Sequence, residues 1–182
     1  MTTARVDRAA LVRRAMVELV AERGFHGTSM SQVAQRAGVA TGTAYVHYGS
    51  KGELLIAAFV EAKAQVDAAV TLDLDLTAPP KETFSRLWTR LYEYLRADLH
   101  LARFLTQIDE SPLRAKAHEA LPDDDPLVRL GEEMADHLVD LPVEIIYELG
   151  LAPAARLAAS DTSLEDDQVD MVIESCWRAI HR

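Results

Sequence analysis

Two short apolar-periodic segments joined by a glycine constrain this chain more than any other feature. They lie within residues 30–55, MSQVAQRAGVATGTAYVHYGSKGELL. Val33, Ala34 and Ala37 fall at helical spacing, so one face of a first short helix can bury. Gly38 follows directly, where a chain leaving a helix most easily takes positive φ. Thr41 is placed to cap a second short helix, in which Ala44, Tyr45 and Tyr48 repeat the three-and-four spacing. Two such helices around a tight turn form a helix-turn-helix, whose second helix enters a DNA major groove.

Charge supports that reading once it is divided along the chain. The net charge of −10 would by itself argue against nucleic acid. Residues 1–52, however, carry Arg5, Arg8, Arg13, Arg14, Arg23, Arg36 and Lys51 against Asp7, Glu18 and Glu22, a net of +4, and the remainder carries −14. Binding responds to the local field at one face, so the asymmetry matters more than the total. The rest of the composition sets bounds. A chain of 182 residues that is 49% hydrophobic can bury a sizeable core. Its N-terminus is polar and basic, without a signal-peptide pattern, and no apolar stretch nears the ~20 residues of a membrane span. A single cysteine, Cys176, excludes an internal disulfide, so the cytoplasm is the expected compartment and a small core residue the expected role.

Helical spacing continues along the chain. Val12, Ala15, Met16 and Leu19 mark a first helix over about residues 7–23, stopped by Gly24. Thr28 and Ser29 can cap the next. A fourth helix begins near Ser50–Lys51. Pro79–Pro80 precedes a fifth, with Phe84, Leu87, Trp88, Leu91 and Leu95 on one face, and Leu101, Phe104, Leu105 and Ile108 mark a sixth. Leu113 to Ala120 reads as a short helical turn. Three aspartates before Pro126 suit the N-terminus of a helix carrying Leu127, Leu130, Met134, Leu138 and Leu141. A further helix starts at Pro142 and is expected to bend at Pro153. Ser163 to Asp166 approximates a capping box for the last, which carries Val169, Val172, Ile173, Cys176, Trp177 and Ile180. The fold class expected is all-α: a three-helix helix-turn-helix domain over residues 1–50 and a helical domain over residues 51–182.

Four blocks in order carry a family likeness: Ala15-x-x-Glu18-Leu19-x-Ala21-Glu22-Arg23-Gly24-Phe25, then Val33-Ala34-x-x-Ala37-Gly38-Val39, then Gly42-Thr43-x-Tyr45-x-His47-Tyr48, then Ser50-Lys51-x-x-Leu54-Leu55. On these the chain resembles the tetracycline-repressor (TetR) family of bacterial regulators. The likeness is dense over the first third; beyond it only the helix layout agrees. It implies a cytoplasmic homodimeric repressor that binds double-stranded DNA and answers to a small effector. Carried over by position, Thr28, Thr41, Gly42, Thr43, Tyr45, His47 and Lys51 are the expected DNA contacts. Hydroxyls, a cation and helix N-termini are also the groups that hold phosphate. Ala40 departs from the family's capping serine, which leaves the cap to Thr41; Ala44 and Gly52 depart as well.

The resemblance also implies an effector pocket and a dimer face in the second domain. Trp88 and Tyr92 lie one turn apart, with Phe104, Met134 and His137 on the following helices. Their lining suits a small apolar or amphipathic molecule. Each of these side chains is equally suited to plain core packing. For the dimer, Gly150, Ala154 and Ala158 recur every fourth residue as a flat strip, joined by Tyr147, Val169, Ile173 and Trp177. No cofactor or metal is expected: Glu133 and His137 lie four apart, but nothing near in sequence completes a ligand set. No hydrolase elbow or zincin motif is present, and Gly49-Ser-Lys-Gly52 lacks the upstream glycine and strand of a phosphate loop, so no enzyme is expected. The rival reading is a helical-bundle small-molecule binding protein, or an enzyme, that has lost DNA binding.

Overall fold

The computed structural model describes residues 7–182, which contain eleven α-helices, one short 3-10 turn and no β-strand. Arg5, counted in the basic segment, lies outside the described residues. Three helices form the N-terminal unit: α1 (Arg8–Arg23), α2 (Met30–Arg36) and α3 (Thr41–His47). Their ends follow from local chemistry. The Asp7 carboxylate accepts from the Ala9 and Ala10 amides, and Gly24 ends α1 at φ +71°. Ser29 and Gln32 cap α2 reciprocally, and Gly38 turns the chain at φ +68°. Ser50 then caps α4 (Lys51–Thr71), a helix of 21 residues.

The larger unit holds α5 (Pro80–Ala97), α6 (Leu99–Asp109), α7 (Arg114–Glu119), α8 (Pro126–Glu133), the 3-10 turn Ala135–His137, α9 (Val143–Gly150), α10 (Ala152–Ala159) and α11 (Asp166–Ile180). Helix α1 packs on both α4 and α6, while α10 lies along α5 and α6. Buried side chains therefore form one cluster from Val12 to Ile180, without a break between the two units.

The chain departs from the expected helices in three places. The helix carrying Leu127 and Leu130 does not continue through Leu138 and Leu141; α8 stops at Glu133 and the 3-10 turn follows. The reason is non-local: Leu138 is extended and bridges antiparallel to His181, with the Val139 amide donating to the Ile180 carbonyl at 2.8 Å. The helix expected to bend at Pro153 is two helices, broken at Leu151, with Pro153 in the first turn of α10. The cap of α11 is Glu165, paired with Gln168, rather than Ser163.

Helix α4 is clamped to α8 by charge. The Lys63 ammonium lies 2.7 and 2.6 Å from the two Asp67 oxygens and 3.3 Å from Asp125. Asp125 in turn accepts from the Leu127 and Val128 amides at the start of α8. Burial pushes the Asp67 carboxyl up from 3.8 to about 6, against the pull of Lys63. Burial also raises Asp125, but Lys63 and the two helix amides outweigh it and leave that carboxyl below its ordinary value.

Because Asp67 holds its proton more tightly folded than unfolded, the folded state binds more protons between 3.8 and about 6. Its contribution to stability is present below that window and lost as pH rises through it. The Asp67→Asn variant, neutral throughout, is expected to lack this slope. Urea denaturation across the window checks it: a wild-type-minus-variant difference that stays constant with pH contradicts the assignment.

Candidate nucleic-acid interface

Helix α3 is anchored along one side and open on the other. Ala44 is fully buried beneath it. Tyr48, just past its end, is half-buried, and its hydroxyl accepts from Arg13 Nη1 at 2.6 Å. Arg13 also donates from Nη2 to Glu61 of α4 at 3.0 Å. The bonds to Glu61 above all hold this guanidinium well above its ordinary range. One arginine thus ties α1, α3 and α4 together. On the open side stand Thr41, Gly42, Tyr45 and His47, all exposed, with Thr43 half-buried. Tyr45 is 52% exposed. Thr41 is the first residue of α3 and not its cap. Ala40 holds the cap position without a side-chain bond, so the first amides remain open to an outside acceptor.

Two expected contacts differ from the reading of them. Thr28 is only 3% exposed, and its hydroxyl donates inward to the Gly24 carbonyl at 3.0 Å. A side chain closed into its own turn has no hydroxyl to offer phosphate. Lys51 does two jobs. Its ammonium donates to the carbonyls of Phe25 at 2.8 Å and Thr28 at 2.9 Å, and sits 4.0 Å from the Phe25 ring centroid. Nothing in the sequence pattern signals this latch. An ammonium has three donors, so one remains, and no carboxylate neutralises Lys51 among the described residues. Other cations of this unit are paired: Arg36 with Glu22 and Glu18, Arg14 with Glu18 and Asp98.

The expected effector residues do not converge on one cleft. Met134 and His137 line a cleft of about 420 Å³ with Leu76, Pro79, Pro80 and Glu133. Trp88 and Phe104 are fully buried elsewhere, and Trp88 stacks on Tyr92 at 5.6 Å. The expectation of a single pocket through all five is therefore corrected. The cause is α10: Ala154 and Ala158 are small enough for it to close down on α5 and α6. Trp88 Nε1 has no hydrogen-bond partner in that packing. Among the described residues no group of three metal-ligating side chains occurs, and Glu133 and His137 stand without a third.

The same packing corrects the dimer strip. Gly150, Ala154 and Ala158 face inward; a methyl added at Gly150 would lie 3.1 Å from Ile180 Cδ1 and 3.5 Å from Phe84. Ile173 and Trp177 are buried too, Trp177 lying 5.5 Å from the Phe84 ring. Tyr147 and Val169 are half-buried, and burial pushes the Tyr147 phenol up. The apolar side chains that do face outward on α9 and α11 are Val143, Ile145, Leu149 and Met171.

A three-helix unit presenting an uncapped outward helix, joined to a larger helical body, defines the class of helix-turn-helix regulators. Comparison with known proteins specifies it. Residues 5–58 match the family described as bacterial regulatory proteins, tetR family, and residues 79–181 match the tetracyclin repressor-like C-terminal domain. The chain belongs to the TetR family and is a DNA-binding transcriptional regulator. It is 27% identical to an uncharacterized HTH-type transcriptional regulator of Haemophilus influenzae, over 100% of both chains. A solved TetR-family regulator from that organism, also 27% identical, superposes over 100% of both chains with a TM-score of 0.79. The fatty acid metabolism regulator protein of Bacillus subtilis is 33% identical over 59% of this chain and 57% of its own. A Shewanella TetR-family structure shares the fold at 21% identity, with a TM-score of 0.82 over 96% of this chain and 98% of its own.

The latch and the open face separate in stability. Lys51→Met leaves two carbonyls without their charged donor and is expected to cost about 1.5–3 kcal/mol. Tyr45→Phe, on the exposed side, is expected to stay within about 0.5 kcal/mol of wild type. Urea midpoints of the two variants check this; equal losses contradict it.

Proposed function

We propose that this regulator is a homodimeric, effector-responsive repressor that binds a palindromic operator. The observation that carries the DNA half is α3 itself, with Thr43, Tyr45 and His47 presented outward while Ala44 and Tyr48 hold it down. Residues 1–50 act as the DNA-binding domain and residues 51–182 as the effector and dimerisation domain. Thr41, Gly42 and Thr43 approach the bases and the nearest phosphates. Tyr45, His47 and the remaining donor of Lys51 hold the DNA backbone. No helix of the described residues is long and apolar enough to cross a membrane.

The dimer forms through the outward faces of α9 and α11, where Ile145, Leu149 and Met171 are exposed and the two helices are adjacent. A stable interface there buries more than about 1,000 Å². Two recognition helices must then lie about 34–36 Å apart, or a multiple of it, to meet successive major grooves. Selection of bound duplexes from random DNA tests this. The wild-type protein is expected to enrich a two-fold palindrome, with log affinity falling against log salt. Leu149→Arg combined with Met171→Arg is expected to sediment as a folded monomer and lose the palindrome. Enrichment of no motif by the wild type defeats the operator reading; a dimeric double variant defeats the interface. A charge at Ile173 enters the core and would not test the interface.

The effector binds in the cleft between residues 76–80 and the end of α8. Leu76, Pro79, Pro80 and Met134 supply apolar wall, and Glu133 and His137 supply polar groups. This lining suits an amphipathic molecule better than a sugar or phosphate. The Bacillus subtilis relative, named for fatty acid metabolism, supports that class. The cleft touches the segment after α4 and the segment pinned to the end of α11, so occupancy favours one spacing of the recognition helices over another. Titration of the operator complex with a series of straight-chain fatty acids checks it. Release by at least one chain length is expected, and Met134→Arg is expected to bind operator yet ignore the acid. No release by any of them removes the acyl class.

A further inference from the structure

The outermost line of α3 is apolar, and nothing in the fold accounts for it. Successive residues of a helix turn by about 100°. With Ala44 fully buried, the line opposite passes between Gly42 and Val46, four residues apart. Val46 is 83% exposed, more than any other large apolar residue described. A methyl added at Gly42 would meet nothing within 4 Å, and its φ is not positive. Neither packing nor backbone geometry within this chain requires a glycine there, and glycine forms helix less readily than alanine. What a bare backbone does supply is close approach from outside. The chemistry of the helix narrows the reading further. Residues 41–47 are Thr, Gly, Thr, Ala, Tyr, Val and His, with no Arg, Lys, Asn or Gln. The side chains that make paired hydrogen bonds to guanine or adenine edges are absent from the helix that enters the groove.

We propose that Val46 reads sequence by apolar contact with the C5-methyl group of a thymine in the major groove, Gly42 allowing the helix to approach closely enough for it to do so. The inference rests on α3 being the recognition helix. Thymine's methyl is the one apolar mark on the major-groove edge of the four bases. A branched aliphatic side chain that stands in water in the isolated protein gains by covering it. Thr43 and Tyr45, on the flanks of the same helix, direct their hydroxyls toward the backbone on either side and fix the register. Specificity then comes from thymine at one defined position per half-site, in place of a guanine or adenine contact from this helix.

The test uses the full-length protein and the palindrome it selects from random duplexes. Each thymine is replaced in turn, symmetrically in both half-sites, by deoxyuridine, which removes the methyl and leaves base pairing intact. One position is expected at which uracil weakens binding by about four-fold per half-site, the scale of one methyl group removed from water. Val46→Ala, at a side chain with no core contact to lose, is expected to bind less tightly and to treat thymine and uracil at that position alike. Uracil tolerated at every position, within two-fold, overturns the proposal while leaving the operator reading intact. So does a Val46→Ala protein that keeps the thymine preference. A wild-type protein that selects no palindrome overturns the recognition-helix reading beneath it, and this inference with it.

Discussion

The ammonium of Lys51 adds a polar tie between two units that already share one buried cluster. It opens α4, and from that position it holds the carbonyls of Phe25 and Thr28 in the turn between α1 and α2. The same helix, three turns on, carries Lys63 into its clamp with Asp67 and Asp125. Between the two lysines, Glu61 receives Arg13, which also holds Tyr48 at the end of α3. These polar ties between the first three helices and α4 therefore fall on one continuous rod. Hydrogen bonds to charged groups are among the stronger ones a folded chain makes.

Most of this architecture is written in local chemistry. The glycines at positions 24 and 38, the Ser29 and Ser50 caps and the three-and-four apolar spacing set the helix ends by interactions within a few residues. What was not legible depends on partners far away in sequence. Leu138 continues the helical spacing of Leu127 and Leu130, yet the extended backbone at Leu138 pairs with His181. The strip of Gly150, Ala154 and Ala158 announces close helix approach but not which helix approaches; α11 and α5 of the same chain close on Gly150, and α5 and α6 on the helix that carries the two alanines. The residues of the first three helices divide in the same way. Tyr45 outward and Tyr48 inward follow from helical phase, whereas the inward Thr28 hydroxyl depends on a turn geometry that composition does not reveal.

Charge follows a similar rule. The net of +4 lies over residues 1–52, which overlap the segment matching the tetR family, but much of it is engaged. Arg36 faces Glu22 and Glu18, and Arg14 faces Glu18 and Asp98. These exposed pairs add little to stability and lower the field available to a phosphate. Fewer cations of this unit stand without a carboxylate partner than the sequence tally implies, with Lys51 among them.

Helix α3 contributes little to the fold that carries it. It has seven residues, no side-chain cap and one fully buried residue, Ala44. Thr41, Gly42, Tyr45, Val46 and His47 could each be exchanged with small cost to folding, because none of them supports the core. Selection can therefore rewrite the exposed surface of this helix almost independently of the frame beneath it. Divergence after gene duplication need not pass through unstable intermediates. A scaffold built in this way can supply many regulators, each addressed to a different site, by changes confined to a handful of adjacent codons.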